Sequence, residues 1–301
     1  MNWLDAVLMG VIEGLTEFLP VSSTGHLILL GDRLGQNGPA AKTLEIVIQA
    51  GAVLAVVVYY RVRLANLLKG LFREDPAAIR LTMALAVAFI PAAALGLLTH
   101  KAIKALLFHP APVAGALIVG GVLMIAVDYG RKRRPTEAED GREKVTLKRA
   151  LAIGVGQCLS LWPGASRSMT TIVAAEVAGL TPSTAADFSF LLAIPTLGAA
   201  TVYDLVKNYK TLAETPGAFN ALAIGLLVSF IIALLVIAAF LRYLKRFGLT
   251  PFGIYRILLG IVVLVLLGGA PPATSPADGP SPTSPAPEKT LTDTAPDARP
   301  V

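Results

Sequence analysis

Apolar residues run along this chain in long blocks separated by short polar stretches. Residues 44–60, 81–99, 111–128, 185–206, 221–241 and 254–267 are nearly free of charge. Apolar runs of roughly 17–21 residues, wound as α-helices, are long enough to cross a ~30 Å hydrocarbon core. The pattern predicts an all-α, polytopic membrane protein with about six full spans. Two further apolar stretches, 4–30 and 147–179, are interrupted by Pro, Gly and dense polar clusters. At membrane depth such breaks are tolerated only where irregular backbone is buried in protein or faces a wet cavity, so both are read as re-entrant helical segments.

Composition agrees and removes several classes. The 301 residues are 54% hydrophobic and 15% charged, with a mean hydropathy of +0.67. An average soluble domain carries roughly 25% charged residues, which excludes an ordinary cytosolic enzyme. Long unbroken runs and few aromatics disfavour an outer-membrane barrel. One cysteine, Cys158, precludes an intramolecular disulfide or a cysteine zinc cage, and His26, His100 and His109 leave little for a histidine cluster.

The formal charge of +6 combines two opposed parts. Residues 271–301 hold nine of the 21 prolines, and four acids against two bases sum to −2, leaving +8 on the first 270 residues. Such a Pro/Ser/Thr/Ala tail buries too little apolar surface to offset its ordering entropy and is expected to be disordered and to take no part in catalysis. The positive remainder follows the positive-inside rule, so no nucleic-acid partner is expected.

Basic residues also orient the chain. Arg61, Arg63, Lys69, Arg73 and Arg80 mark one connection, and Arg131 to Arg134 with Arg142, Lys144, Lys148 and Arg149 mark a second. Arg242, Lys245, Arg246 and Arg256 mark a third, whereas alternate loops hold only Lys101 and Lys104, or Lys207 and Lys210. Placing the richer loops in the cytoplasm makes every span alternate and puts both termini outside. The N-terminus has no basic n-region or small-residue cleavage site and does not read as a removable signal peptide.

The chain also resembles itself. At an offset of 144, Gly10, Val11, Glu13, Leu15 and Thr16 fall on Gly154, Val155, Gln157, Leu159 and Ser160. After a one-residue gap Pro20 and Ser23 fall on Pro163 and Ser166, and at 142 Glu45 falls on Asp187. The expected organisation is a first repeat over 1–130, a basic cytoplasmic linker over 131–146, a second repeat over 147–270 and the tail. Each half has one re-entrant segment and three spans, so the second enters from the opposite side. In such an inverted-topology repeat two broken helices meet near the midplane at a shared ligand.

The two polar clusters then form one site. Glu13 and Glu17 lie four residues apart, on one helical face. Pro20 stops that helix, and Ser22, Ser23, Thr24, Gly25 and His26 supply hydroxyls, a flexible point and an imidazole. Ionisable residues inside a membrane segment are costly and are read as functional. In the second cluster a Pro163-Gly164 turn precedes Ser166-Arg167-Ser168, aiming backbone N–H groups, hydroxyls and a planar guanidinium at one point, as an anion cradle does. Carboxylates hold a divalent cation through oxygen, and arginine and cation together neutralise phosphate. A serine or the histidine supplies a nucleophile. This inventory favours hydrolysis of a phosphate ester or anhydride on a lipid.

The run Glu13-Gly-Leu-Thr-Glu17-Phe-Leu-Pro-Val-Ser-Ser-Thr-Gly-His26 and the run Pro163-Gly-Ala-Ser-Arg167-Ser168 resemble the two signature motifs of the undecaprenyl-diphosphate phosphatase family, bacterial membrane enzymes of the bacitracin-resistance type. The resemblance covers about residues 1–268. It implies conversion of undecaprenyl diphosphate to undecaprenyl phosphate and inorganic phosphate, which recycles the carrier lipid for peptidoglycan synthesis, in a plasma-membrane protein whose site opens to the outer face. It assigns Glu13 and Glu17 to metal binding, with Mg2+ or Ca2+ as the cofactor, or to acid/base work, and Ser23 and His26 to the nucleophile and its activator. Arg167, with Ser166 and Ser168, is implied to bind the diphosphate, with Ser22 and Thr24 as further substrate contacts. Three residues of separation near a helix start favours Ser23 as nucleophile with His26 as base, and direct attack by His26 stays open. The family pattern has Gly where this chain has Met169, an obstruction if the backbone there approaches the diphosphate.

Other polar positions carry less. Glu45 and Asp187 are repeat-related acids placed either behind the site or at helix ends near water. Gln157, opposite Glu13, is expected to orient ligands, His100 and His109 to lie in a solvated outer loop, and Cys158 to be a small packing residue. A homodimer is compatible with the pattern. The rival reading is a secondary transporter or flippase of a lipid phosphate, since inverted repeats with broken helices also build transporters. The set of Ser, His and paired Glu favours an enzyme.

Overall fold

The computed structural model describes residues 3–34, 39–107, 110–133, 140–141, 144–214 and 217–267. The elements among them are helices: α1 (Trp3–Thr16), α2 (Ser23–Leu34), α3 (Pro39–Tyr59), α4 (Arg61–Phe72), α5 (Pro76–Leu107), α6 (Pro110–Arg133), α7 (Leu147–Gln157), α8 (Arg167–Val177), α9 (Pro182–Glu214), α10 (Ala218–Phe247) and α11 (Thr250–Leu267), with a short 3₁₀ turn at Cys158–Leu161. The expectations for the 271–301 tail, for His109 and for the side chains of Glu45 and His100 fall outside the described residues, while the backbone of His100 lies in α5 rather than in a loop.

Each apolar run lies in a helix, and the chain is a multi-pass membrane protein. Among the described residues four segments are long and apolar enough to span, Pro76–Thr99, Pro110–Arg133, Pro182–Lys210 and Phe219–Phe247. The run at 44–60 lies in α3, which meets α4 at a bend of 71°, making a fifth candidate, and the run at 254–267 lies in a shorter apolar helix, Thr250–Leu266. The basic stretch after residue 60 is a helix rather than a loop. Its Arg and Lys lower the hydropathy, but Leu, Ala, Arg and Lys are all good helix formers.

Both broken segments are present. Pro20 and Pro163 lack the N–H that continuing a helix requires. In each turn a serine then takes a left-handed backbone, Ser22 at φ 72° and Ser166 at φ 71°. Each hydroxyl accepts the N–H three residues on, from Gly25 and from Met169, both at 3.3 Å. These are N-caps that start α2 and α8. In capping role Ser166 corresponds to Ser22, whereas the alignment through the prolines sets it against Ser23.

Helix α1 lies on α10 as α7 lies on α5, while α3 meets α9 and α6 meets α11. A Cβ on Gly10 would come within 2.6 Å of the Gly225 carbonyl oxygen in α10, and one on Gly154 within 2.6 Å of that of Ala88 in α5. Without a hydrophobic drive between helices in lipid, such close backbone approach and its dispersion gain carry the association. Behind the turns Phe18, Phe188, Phe190 and Phe240 are fully buried, with the Phe18 ring edge-on to Phe190 at 5.1 Å.

One charge is misplaced by the loop count. Arg242, Lys245 and Arg246 are exposed around the end of α10, but Arg256 is completely buried on α11. Counting along the chain ignores helix face, and ten residues past Arg246 the chain has entered a helix whose inner side Arg256 occupies.

Candidate active site

The turn between α1 and α2 and the turn between the 3₁₀ segment and α8 face one another. Between them lies a cavity of about 160 Å³ lined by Glu17, Ser23, Thr24, Gly164, Ser166 and Arg167, and by Gln49, Ser160, Thr196 and Leu197. The first residues of α2 and α8 both border it, so two helix N-termini present partial positive charge to one volume, a setting for an anion.

Glu17 links the two halves. Ser23 Oγ donates to Glu17 Oε2 at 2.8 Å, and Arg167 Nε stands 3.5 Å from Glu17 Oε1 as an ion pair. All three are buried. Arg167 Nη1 donates to the Ser189 carbonyl at 3.0 Å, which fixes the guanidinium plane, and its carbon lies 5.7 Å from the centre of the Phe18 ring. Arg167 Nη2 is buried and has no hydrogen-bond partner among the described residues. A buried donor left over in a polar cavity is provision for an acceptor that arrives with a ligand.

The serines divide their labour. Ser168 Oγ donates to the Leu19 carbonyl at 2.9 Å, tying α8 to the first turn. Its one hydrogen is thereby used, so Ser166 donates across the 3.0 Å to Ser168 while accepting from Met169 N. Ser166 thus has a structural bond on each side, and Ser22 caps α2. Thr24 reaches the cavity, whereas Ser22 and Ser168 do not line it.

His26 faces elsewhere. Nδ1 lies 2.7 Å from the Ser22 carbonyl and Nε2 2.7 Å from Tyr255 Oη on α11, with the two rings stacked at 5.7 Å and 6°. A carbonyl only accepts, so Nδ1 carries the proton and Nε2 accepts from the phenol. The expected Ser23–His26 pair does not form here; the residue bonded to Ser23 is Glu17. Spacing places both at the helix start but not on the same side of it.

Glu13 is 1% exposed, one turn before Glu17 on α1. Among the described residues no three His, Cys, Asp or Glu side chains gather as a metal cage. Glu17 lines the cavity and Glu13, one turn before it, does not; two carboxylates in that relation are a donor set for a hard cation of the Mg2+ kind, which takes one or two carboxylates and completes its shell with phosphate oxygens and water. A carboxylate has about four lone-pair sites, so the Ser23 and Arg167 contacts do not exhaust Glu17.

The remaining expectations resolve individually. Met169 sits inside α8 and is buried in the core, away from the cavity, so it does not obstruct it. Gln157 is buried and accepts from Thr196 Oγ1 at 3.4 Å, so it touches a cavity residue rather than the cavity. Asp187 accepts from Tyr60 Oη at 2.5 Å and pairs with Arg63 at 3.4 Å, at the α3–α4 bend. Cys158 donates to the Gly154 carbonyl at 3.5 Å. Gln49, Ser160, Thr196 and Tyr255 were not singled out from the sequence. Gln49 had a readable signal, a lone amide in an apolar span; Thr196 and Tyr255 had none.

Fold and site together define a polytopic α-helical membrane protein with a polar cavity between two broken helices. Residues 6–262 match the family described as bacitracin resistance protein BacA, and the chain belongs to that family. It is 67% identical over 266 residues, 88% of this chain and 87% of the relative, to an undecaprenyl-diphosphatase of Sorangium cellulosum. It is 46% identical over 266 residues to an undecaprenyl-diphosphatase of Caldanaerobacter subterraneus, covering 88% and 96%, and 47% identical over 267 to one of Rhizorhabdus wittichii, covering 89% and 98%.

Proposed function

We propose that this chain is an undecaprenyl-diphosphatase, hydrolysing undecaprenyl diphosphate to undecaprenyl phosphate and inorganic phosphate, and that this turnover underlies bacitracin resistance. The observation that carries the chemistry is the Ser23–Glu17–Arg167 chain in a buried cavity between two helix N-termini. Ser23 Oγ attacks the terminal phosphorus as its proton passes to Glu17. The bond from that phosphorus to the bridging oxygen breaks, and the lipid monophosphate leaves with the electron pair. The proton on Glu17 leaves with the lipid monophosphate, which frees the carboxylate. Water then attacks the phosphoserine, Glu17 takes the water proton and returns it to Ser23 Oγ as the phosphorus–Oγ bond breaks, and inorganic phosphate departs. Arg167 Nη2 and the N–H groups starting α2 and α8 bind the phosphoryl oxygens as their charge develops.

Glu13 and Glu17 would hold the divalent cation, Mg2+ or Ca2+, which when bound neutralises phosphate charge and polarises the phosphorus–oxygen bonds. The protein resides in the bacterial inner membrane with both termini outside and the site open to the outer face, where the diphosphate is released. Basic residues at the ends of α6 and α10 and along α4 support that orientation. The halves form an inverted repeat, supported by the matched caps Ser22 and Ser166 and the matched packing of α1 on α10 and α7 on α5. The test is phosphate release from a long-chain prenyl diphosphate by purified protein. Release dependent on Ser23 is expected, and none under any divalent cation overturns the reading.

A further inference from the structure

Arg256 is among the largest fully buried side chains of the molecule, at 0% exposure. Its guanidinium donates to four backbone carbonyls: Nε to Leu117 at 3.3 Å, Nη1 to Pro20 at 3.3 Å, and Nη2 to Ala116 at 3.0 Å and Gly164 at 2.9 Å. No carboxylate pairs with it among the described residues. Burying an unpaired guanidinium carries a large desolvation cost, so its retention calls for a role beyond stability. The four carbonyls supply one. Pro20 lies in the first turn three residues before Ser23, Gly164 lies in the second turn three residues before Arg167, and Ala116 and Leu117 belong to α6.

We propose that Arg256 is a positioning residue for the hydrolysis: by holding the Pro20 and Gly164 carbonyls at once, it sets the register of the two turns so that Ser23 and Arg167 meet on the same phosphate. This rests on the reading of Ser23, Glu17 and Arg167 as the reacting groups. Arg256 does not line the cavity and acts only through those two carbonyls. The Ser168 bond to Leu19 also joins the turns, and Trp162 and His26 each tie one of them to α6 or α11, but among the described residues Arg256 is the side chain on α11 that hydrogen-bonds both turns and α6 together. Its planar fork reaches divergent acceptors that an ammonium cannot reach together. Space for it is provided by Gly120 on α6, where a Cβ would overlap Arg256 Nη2 and come within 2.8 Å of Met169 Cε. Both are ends of side chains rather than backbone, so an added methyl displaces the guanidinium and the Met169 methyl before it displaces a helix.

The experiment measures kcat, KM and the thermal midpoint of purified protein in detergent. Arg256→Lys keeps the charge and loses the fork; a misplacement of reacting groups by about 1 Å costs about 100-fold, and a loss of that order is expected in kcat, with KM within roughly threefold. Gly120→Ala leaves Arg256 in the chain but pushes it aside, and is expected to lower kcat roughly tenfold with KM little changed in protein that still folds, at a midpoint lowered by the carbonyl bonds that are lost. Gly115→Ala, on the same helix with nothing within 4 Å of its new methyl, keeps wild-type kcat. The double variant Arg256→Lys/Gly120→Ala is no slower than Arg256→Lys alone, because both act on the same guanidinium. Wild-type kcat in folded Gly120→Ala overturns the proposal, as does a fully additive double variant; if Arg256→Lys does not fold, Gly120→Ala decides by itself. Failure of the reading on which it rests shows separately, as full activity of Ser23→Ala.

Discussion

Ser23 Oγ donates its hydrogen to Glu17 Oε2 at 2.8 Å, across the break between α1 and α2. The hydroxyl thus has a carboxylate in place to take its proton, while the imidazole three residues later is held by Ser22 and Tyr255. Removing either member of the pair is expected to cost about 10²–10⁴-fold, the range of a general base or its nucleophile. Ser23→Ala and Glu17→Gln should both show that loss in phosphate release. His26→Gln should lose about tenfold or less, acting through the start of α2. Inactive His26→Gln beside active Ser23→Ala would reverse the assignment.

Arg167 is the buried cation of the cavity and presents an unpartnered Nη2. Arg167→Lys keeps the charge and loses the second donor and the planar geometry. A loss of about 10²–10³-fold in kcat is expected, as for removal of a donor that binds developing oxyanion charge. The protein should remain folded in detergent, because replacing this side chain leaves the Ser168–Leu19 link between the turns intact.

Divalent cation should be required. Chelation is expected to abolish phosphate release, and Mg2+ or Ca2+ to restore it. Glu13→Gln should raise the cation concentration needed for half-maximal rate, since it removes one of two oxygen donors. Full activity in excess chelator would remove the cation from the reaction.

Gly248 ends α10 at φ 70°, and a Cβ there would overlap the Asp128 carboxylate. That carboxylate is held by Arg131 at 2.7 Å and Lys132 at 3.0 Å and accepts from Thr250 Oγ1 at 2.5 Å at the start of α11. Gly248→Ala should therefore destabilise the protein by about 1–3 kcal/mol through backbone strain, read as a lower thermal midpoint. An unchanged midpoint would mean the α10–α11 corner relaxes freely.

Asp140 fastens the stretch before α7 to the start of α9. Thr181 and Thr184 donate to its Oδ1 at 2.6 and 2.7 Å and hold its carboxyl below the usual carboxylate range. A depressed folded value contributes stability that is complete above the unfolded pKa, about 3.9, and is lost as pH falls through the folded one. Asp140→Asn should lower the thermal midpoint by a constant amount between about pH 5 and pH 8, and the gap should close at lower pH. A gap that widens on acidification would contradict this linkage.

Much of the molecule was legible along the chain because its solvent is lipid. The cost of burying charge and unpaired backbone there makes apolar runs, breaks and isolated ionisable groups stand out in one dimension, as 4–30, 147–179, Glu13, Glu17 and Arg167 do. What sequence spacing left open was direction: Ser23 and His26 are three residues apart, yet one turns to Glu17 just after α1 and the other to Tyr255 on α11, and Arg256 sits near a basic loop yet points into the core. Gln49, Thr196 and Tyr255 come from helices distant in sequence, so only packing reveals their neighbours. The chain's own residues determined a membrane-embedded helical protein with two polar breaks, through the energetics of transfer into lipid. The tertiary structure decided which hydroxyl meets which carboxylate and which cation joins the turns, because the first pairing depends on how the chain rotates through a break of six residues and the second on contacts 92 and 236 residues apart along the chain.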